Sequence, residues 1–404
     1  GGSLADGIDT AVRQSDRADA QVNGSLALAK AMGAAPRDIA VKVLEVAELQ
    51  DICSATEVAG PGFINLTFAN DFLARELVVA SGNEKLGVAS APASRRVVID
   101  YSAPNVAKEM HVGHLRSTVI GDALVRMLMY VGNTVVRENH VGDWGTPFGM
   151  LIEHLVDLGE TSAAEELSIG DLDSFYRSAR KKFDESQEFQ NRARTRVVAL
   201  QGGDAETLRL WKLLVTESTR YFQTIYETLG VMLQDSDVMG ESAYNSLLPQ
   251  VAQRLSDLGL LTNSDGADVV FPEGFTNREN QPLPLIIRKT DGGYNYATSD
   301  LACVIDRVER LNASLLLYVV GAPQAQHLQM VSAVAKQAGW LQTPREMVHV
   351  AFGNVLGADR KMLKTRSGDT IKLDALLTEA VERAAAAVAE KNPELSTEKQ
   401  SEIA

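Results

Sequence analysis

Two histidines separated by two residues mark the part of this sequence best suited to chemistry. His111, Gly113 and His114 follow an apolar run that ends in an acid, Val97-Val98-Ile99-Asp100. After them, apolar residues recur at helical spacing as far as Gly132-Asn133. The histidines are therefore expected where a buried strand gives way to the N-terminus of a helix. At such a position, backbone N–H groups and the helix dipole favour a phosphate.

Phosphate chemistry suits these residue types. Two imidazoles could donate hydrogen bonds to phosphate oxygens as negative charge grows during nucleotidyl transfer. Gly113 has no Cβ and would allow a ligand to approach closely. Taken alone, the pair is also compatible with two surface histidines. The strand before it and the amphipathic helix after it favour the phosphate interpretation.

Three further polar clusters follow predicted strands or lead into a predicted helix. They occupy residues 139–145, 294–300 and 321–327. Polar and glycine residues beyond the carboxyl ends of strands line the crevice in which open α/β sheets bind ligands. In the third cluster, Gln324 is placed to contact a polar group of a substrate.

The second cluster suits a cationic ligand. If its end is helical, Tyr296 and Asp300 share one helix face because they are four residues apart. A carboxylate with an aromatic neighbour can hold a cation through a charge-assisted hydrogen bond and ring stacking. The alternative is that Asp300 only caps the helix.

The last cluster, residues 361–369, has the glycine and polar content of a mobile loop. Its two lysines, Lys361 and Lys364, could bind phosphate groups through their positive charges. A plain basic surface loop is the alternative.

Composition predicts a soluble protein of two or three domains. The chain has 404 residues, of which 45% are hydrophobic and 23% charged. The longest apolar stretches have strand length, so no membrane span is expected. The two cysteines are too few for a disulfide framework or a zinc cluster. No signal peptide is recognised, and we expect a cytoplasmic protein that needs no bound metal.

The net charge of −14 argues against a protein that coats nucleic acid non-specifically. A protein with an acidic net charge can nevertheless bind nucleic acid in a local basic groove. The segment 177–196 is locally basic, and a solvated helix face is its simplest explanation.

The order of apolar patterns predicts an α/β fold. Residues 1–88 are expected to form a small α+β unit, with helices at 25–32 and from Pro36 and strands at 56–58 and 63–68. A Rossmann-like parallel sheet is expected over 89–372, with strands at 97–100, 134–138, 315–320 and 348–352. A mainly helical insertion, about 151–285, would split it. A helix over 373–390 would open a further helical region, residues 373–404.

These motifs together resemble the class I aminoacyl-tRNA synthetases, whose signatures are an HIGH tetrapeptide and a mobile KMSKS loop. The long first motif, residues 102–118, resembles the form found in arginyl-tRNA synthetases. So do Gly142-Asp143-Trp144-Gly145 and residues 292–300, 318–327 and 364–370. Residues 1–88 resemble that family's additional domain, which contacts the tRNA elbow.

The resemblance implies roles for individual residues. It assigns ATP to His111, Gly113 and His114, with Lys108 near the phosphates, and it places Lys361 and Lys364 at the two lysine positions of the second signature. The positions that match the family's arginine-binding residues are Asp100, Asn105, Tyr296, Asp300 and Gln324. Leu363 stands where the pattern has serine, so the location of the loop is a firmer expectation than the role of each lysine.

The implied function is ligation of L-arginine to tRNA(Arg) through an arginyl-adenylate, with ATP–Mg²⁺ as substrate. The resemblance also implies that adenylate formation needs bound tRNA. We expect a monomer that binds neither DNA nor membrane. The chain stops at Glu402-Ile403-Ala404, so most of the C-terminal anticodon-binding domain is expected to be absent.

Two alternatives remain open on the sequence. One is a small-molecule nucleotidyltransferase that kept the histidine motif, against which the tRNA-type N-terminal unit and the long insertion argue. The other is a non-catalytic paralogue that binds arginine or tRNA, against which the intact His111, His114, Lys108 and Asp300 argue.

Overall fold

Two compact units, residues 1–90 and 91–404, make up the chain in a computed structural model. The structure describes residues 10–159, 172–277, 279–356 and 372–404.

The first unit combines three helices with a four-stranded antiparallel sheet of order β1-β2-β4-β3. Its strands are β1 Val12–Arg13, β2 Ala20–Val22, β3 Cys53–Ala59 and β4 Phe63–Phe68, and its helices are α1 Gly24–Met32, α2 Pro36–Val46 and α3 Asn70–Ser81. The predicted α+β class is confirmed, whereas β1, β2 and α3 were not predicted. The helical spacing of the apolar residues after Pro36 would turn Val46 inward, but it is 80% exposed. It is the last residue of α2, where the helix no longer covers the small core around Ala40 and Ile64.

The second unit is built around a parallel four-stranded sheet of order β11-β10-β5-β6. Its strands are β5 Arg96–Asp100, β6 Thr134–Glu138, β10 Leu315–Tyr318 and β11 Glu346–His349. β5 is central and pairs with β6 and β10. Val97, Val98 and Ile99 are fully buried, as expected for a strand covered on both faces. The Rossmann-like sheet is confirmed, although β11 begins two residues before the predicted position.

Helices flank this sheet, and one of them carries the histidine motif. They are α4 Val112–Tyr130, α10 Tyr296–Glu309 and α11 Ala325–Gln337. Helices α12 Leu373–Lys391 and α13 Thr397–Ile403 follow at the C-terminal end. No helix in the described ranges is long and apolar enough to cross a membrane.

The segment between β6 and β10 is mainly helical in its described part. Its helices are α5 Pro147–Leu158, α6 Leu172–Glu185, α7 Gln187–Gln201, α8 Ala205–Leu229 and α9 Leu248–Asp257. Helix α7 ends at Gln201, and Asp204 caps the next helix, α8, its carboxylate accepting the N–H of Thr207 at 2.9 Å. A three-stranded antiparallel sheet, β7 Thr262–Ser264, β8 Ala267–Val270 and β9 Leu285–Arg288, was not predicted.

Candidate active site

The two histidines lie at the N-terminus of α4, where the sequence places them. His111 is the N-cap residue, and its Nδ1 accepts the N–H of Gly113 at 3.1 Å. The N–H of His111 in turn donates to Nδ1 of His114 at 3.0 Å. The two rings stack with their centroids 3.9 Å apart. These bonds hold both imidazoles rigidly against the start of the helix.

The same hydrogen bonds assign the tautomer of both rings. Because each Nδ1 accepts a backbone N–H, each neutral ring carries its proton on Nε2. Burial lowers the pKa of His111, and burial together with the neighbouring His111 lowers the pKa of His114 to about 3. Both rings are therefore neutral near pH 7 and offer Nε2–H as a hydrogen-bond donor.

Two glycines allow close packing around this helix end. A Cβ at Gly113 would lie 2.8 Å from Cε1 of His111, so this glycine makes room for the capping imidazole itself. A Cβ at Gly121 would lie 2.4 Å from the Cβ of Tyr101, the residue that follows β5. Helix α4 can therefore lie directly against the carboxyl end of the central strand.

A cleft of about 250 Å³ opens beside His111, and we call it the His111 cleft. Its lining residues are Lys108, Glu109, Met110, His111, Asp173, Tyr176, Arg177 and Lys372. The ammonium of Lys108 lies 4.5 Å from the centre of the Tyr176 ring. Lys372 pairs with His111 in an isolated β-bridge, and its Nζ lies 2.9 Å from Oε1 of Glu109. Lys361 and Lys364 lie outside the described residues.

A buried ion network lies under the carboxyl ends of β5 and β6. Arg307 of α10 is fully buried; its Nη2 donates to Asp100 at 2.7 Å and its Nε to Glu138 at 2.6 Å. Asp100, proposed from the sequence as an arginine ligand, is thus engaged by an internal guanidinium. Asn105 is exposed on the loop after β5, and its Oδ1 would lie 2.2 Å from a Cβ at Gly142. Gly142 therefore determines where Asn105 can sit.

Tyr296 and Asp300 share a face of α10, as predicted. The helix is capped by Asn295, whose side chain accepts the N–H of Tyr296, so capping is not the role of Asp300. Oδ2 of Asp300 lies 2.6 Å from Nε2 of His327, and the ring of Tyr296 packs 4.8 Å from that imidazole. Gln324 is exposed at the end of a short 3₁₀ turn just before His327. The third cluster and the second cluster are thereby brought together.

Glu241 is an acidic neighbour of Asp300 that the sequence analysis missed. Its N–H donates to the carbonyl of Val141, which places it beside the segment that follows β6. Burial raises the pKa of the Glu241 carboxyl to about 7; the charge of His140 lowers it, and Asp143 and Asp300 raise it further. The sequence signal for Glu241 is weak: an apolar pair and a glycine, Val238-Met239-Gly240, precede it.

Asp143 is buried in the first of these polar clusters, residues 139–145, and has a structural role. Its carboxylate accepts hydrogen bonds from the backbone N–H and the hydroxyl of Ser242, at 2.8 and 2.6 Å. A Cβ at Gly240 would lie 2.3 Å from this carboxylate. The bonds fix the chain just beyond Glu241, so the acid is presented from a well-ordered segment.

Comparisons with known proteins agree with this arrangement. The catalytic-domain family "tRNA synthetases class I (R)" matches residues 77–404, and the "Arginyl tRNA synthetase N terminal domain" family matches residues 5–68. The arginine–tRNA ligase of Thermobifida fusca is 54% identical over 98% of this chain and 68% of its own length. That of Thermosynechococcus vestitus is 50% identical over 91% of the chain and 63% of its own length. The chain thus spans about two thirds of the length of these curated relatives.

Solved structures show the same fold. The arginyl-tRNA synthetase of Plasmodium falciparum superimposes with a TM-score of 0.79 at 26% identity, covering 99% of this chain and 69% of that one. The Thermus thermophilus enzyme gives 0.75 at 21% identity, covering 96% and 69%. These relatives do not favour the nucleotidyltransferase or the non-catalytic alternative. The chain belongs to the arginine–tRNA ligases, class I aminoacyl-tRNA synthetases that join arginine to tRNA at the expense of ATP.

Proposed function

We propose that this chain activates L-arginine with ATP and transfers it to tRNA(Arg). A carboxylate oxygen of arginine bonds to the α-phosphorus of ATP as the bond to pyrophosphate breaks. A ribose hydroxyl of the tRNA end then attacks the arginyl carbonyl, AMP leaves and the hydroxyl proton passes to solvent. The observation that carries this proposal is the pair of neutral, rigidly held imidazoles at the N-terminus of α4. The same unit contains the neighbouring carboxylates of Asp300 and Glu241, which we call the acidic pocket.

The phosphate side of the reaction is assigned to the start of α4 and its surroundings. The Nε2–H groups of His111 and His114 donate to phosphate oxygens, Gly113 permits the geometry, and Lys108 supplies a positive charge. Uncharged donors fixed before the reaction stabilise growing charge without reorganising. Lys361 and Lys364 are proposed to contact the departing pyrophosphate, and Mg²⁺ enters with ATP as part of the substrate.

The arginine side is assigned to the acidic pocket. Asp300 and Glu241 are proposed to accept hydrogen bonds from the guanidinium, a planar group that pairs well with carboxylates, and Tyr296 packs against it. Gln324 contacts a polar group of the substrate at the rim. Asn105 and Asp100 are proposed to hold the α-amino end, with Arg307 fixing the orientation of Asp100.

The remaining assignments are proposals of the same kind. Residues 1–88 are proposed to contact the elbow of the tRNA, residues 89–372 to form the catalytic domain and 373–404 to begin a helical region. We further propose a cytoplasmic monomer. The match of residues 5–68 to the N-terminal domain family supports the first of these.

Amino-acid-dependent exchange of label between pyrophosphate and ATP tests the proposal. Each amino acid is supplied in turn, with and without tRNA, because the family resemblance implies that activation needs tRNA. We expect exchange with arginine alone among the amino acids. Exchange with a different amino acid, or none with any amino acid when tRNA is present, would overturn the proposal.

A further inference from the structure

The His111 cleft has one wall that the catalytic sheet does not supply. Asp173, Tyr176 and Arg177 come from α6, in the helical segment inserted between the two halves of the sheet. Tyr176 is held there because the ammonium of Lys108 lies over its ring. The inserted helix therefore reaches the residues that immediately precede the histidine motif.

Among the described residues, most charged side chains of the cleft are already engaged by a neighbour: Lys108 lies over the ring of Tyr176. Glu109 forms an ion pair with Lys372, and the carboxylate of Asp173 accepts the N–H of Glu109 at 3.2 Å. Arg177 is exposed, and within the described parts of the chain no carboxylate forms an ion pair with it. A guanidinium that lines a cleft and has no carboxylate partner among the described residues is available to an anion from solution.

Its neighbour one turn along α6 is different. Arg180 pairs with Asp184 at 2.9 Å and lines only the adjoining surface groove, not the His111 cleft. The two arginines lie on the same helix and are both exposed, but only Arg177 lines the His111 cleft and only Arg180 is paired with a carboxylate. Arg180 is therefore a matched control for Arg177.

We propose that Arg177 is a binding residue for the terminal phosphates of ATP and for the pyrophosphate that leaves. This rests on the proposed function, since it places those phosphates in the His111 cleft between Lys108 and His111 on one side and α6 on the other. Arginine suits this task because its planar fork can donate two hydrogen bonds to one phosphate. The insertion thus takes part directly in nucleotide binding.

The first test measures the affinity of the complete chain for Mg²⁺–pyrophosphate by calorimetry. Arg177→Ala should weaken binding about tenfold or more, the size expected for loss of a charged hydrogen bond. The affinity of Arg177→Lys should lie between those of the unmodified chain and Arg177→Ala. The affinity of Arg180→Ala should stay within about twofold of that of the unmodified chain. Circular dichroism and the melting temperature check that all variants fold. Equal affinities for the two alanine variants would overturn the inference.

The second test uses arginine-dependent exchange with tRNA present. Arg177→Ala should raise KM for ATP and pyrophosphate and leave KM for arginine unchanged. A rise confined to KM for tRNA would contradict the proposal, because the residue would then contact tRNA.

The two tests separate the inference from the proposed function. Binding of pyrophosphate that depends on Arg177 in a chain without exchange would refute the function and support the inference. Exchange that is equally strong in both alanine variants would support the function and refute the inference.

Discussion

At the scale of single residues, the account depends on which atom of each side chain is already engaged. His111 and His114 use Nδ1 to cap α4, which leaves Nε2–H for a ligand. Asp300 lies close enough to Glu241 for its charge to raise the pKa of the Glu241 carboxyl. Substitution can separate the two uses of a histidine ring. Asparagine keeps a polar atom near the position of Nδ1 and has none at the position of Nε2.

The first prediction separates capping from catalysis at His111. His111→Asn keeps a side-chain oxygen that can accept the N–H of Gly113, but it lacks the distal donor. We expect it to lower the rate of adenylate formation by roughly 10²–10³, with little change in stability. His111→Ala should lose as much rate and also about 1 kcal/mol of stability, because the cap is lost. Single-turnover kinetics and denaturant unfolding measure the two effects; unchanged rates in both variants would refute the phosphate role.

A second prediction concerns Asp300. Asp300→Asn should raise KM for arginine roughly 10- to 100-fold and change KM for ATP little, because a charged hydrogen bond to the guanidinium is lost. Glu309→Gln, at the far end of the same helix and paired with Arg254, is the control and should change neither constant. If KM for ATP rose in parallel with KM for arginine, Asp300 would not be the guanidinium ligand.

The third prediction follows from Glu241. Its carboxyl has a pKa of about 7 because of burial, so it loses its charge as the pH falls through 7. A neutral carboxyl attracts a guanidinium less, and kcat/KM for arginine should therefore decline below pH 7. The groups that face it, His140, Asp143 and Asp300, stay in place in Glu241→Gln, which should bind arginine weakly and lack this pH dependence. An identical pH profile in both proteins would contradict the assignment.

At the scale of elements, the site is assembled where chain segments far apart in sequence meet. Helix α4 follows β5, whereas α10 precedes β10, and the two strands pair in the sheet. Arg307 joins these parts, because its guanidinium reaches from α10 to the ends of β5 and β6. The ion network is thus placed to hold the acidic pocket and the histidine motif in one geometry.

The fourth prediction tests that network. Arg307→Met removes the partner of two buried carboxylates, and it should cost about 3–5 kcal/mol of unfolding free energy. Arg310 is the control on the same helix: it pairs with Asp306 but is half exposed, so Arg310→Met should cost less than about 1 kcal/mol. Chemical denaturation measures the free energy of unfolding of both variants. Equal losses would show that the buried network contributes no more to stability than the half-exposed pair does.

The elements that sequence patterns predicted are those with strong periodicity. The run 97–100 and the helix after His111 were recognised because burial of a central strand and of one helix face leaves a regular apolar pattern. The sheet β7-β8-β9 was not predicted because its first strand, Thr262–Ser264, is polar and mostly exposed and shows no alternation of apolar and polar residues. Glu241 was not predicted because it begins a short 3₁₀ turn, Glu241–Tyr244, which leaves no regular apolar pattern in the sequence. Helical spacing could not reveal the burial of Arg307, since its partners lie on strands distant in sequence.

At the scale of the whole molecule, the local distribution of charge matters more for ligand binding than the net charge. The net charge is −14, yet cationic side chains line the His111 cleft and the carboxylates cluster in the acidic pocket. Under the proposed function, this charge distribution would direct ATP and arginine to different parts of the site, with the reacting atoms between them. The separation of charge should be visible as discrimination between arginine and an uncharged analogue of the same shape.

The most direct test of the account is therefore the ratio of kcat/KM for arginine to that for citrulline in pyrophosphate exchange, with tRNA present. Citrulline replaces the guanidinium by a neutral urea and would leave Asp300 and Glu241 without a cationic partner. We predict that arginine is favoured by at least about 10³, since two charged hydrogen bonds are at stake. A ratio near one, or exchange that does not depend on arginine, would contradict the account.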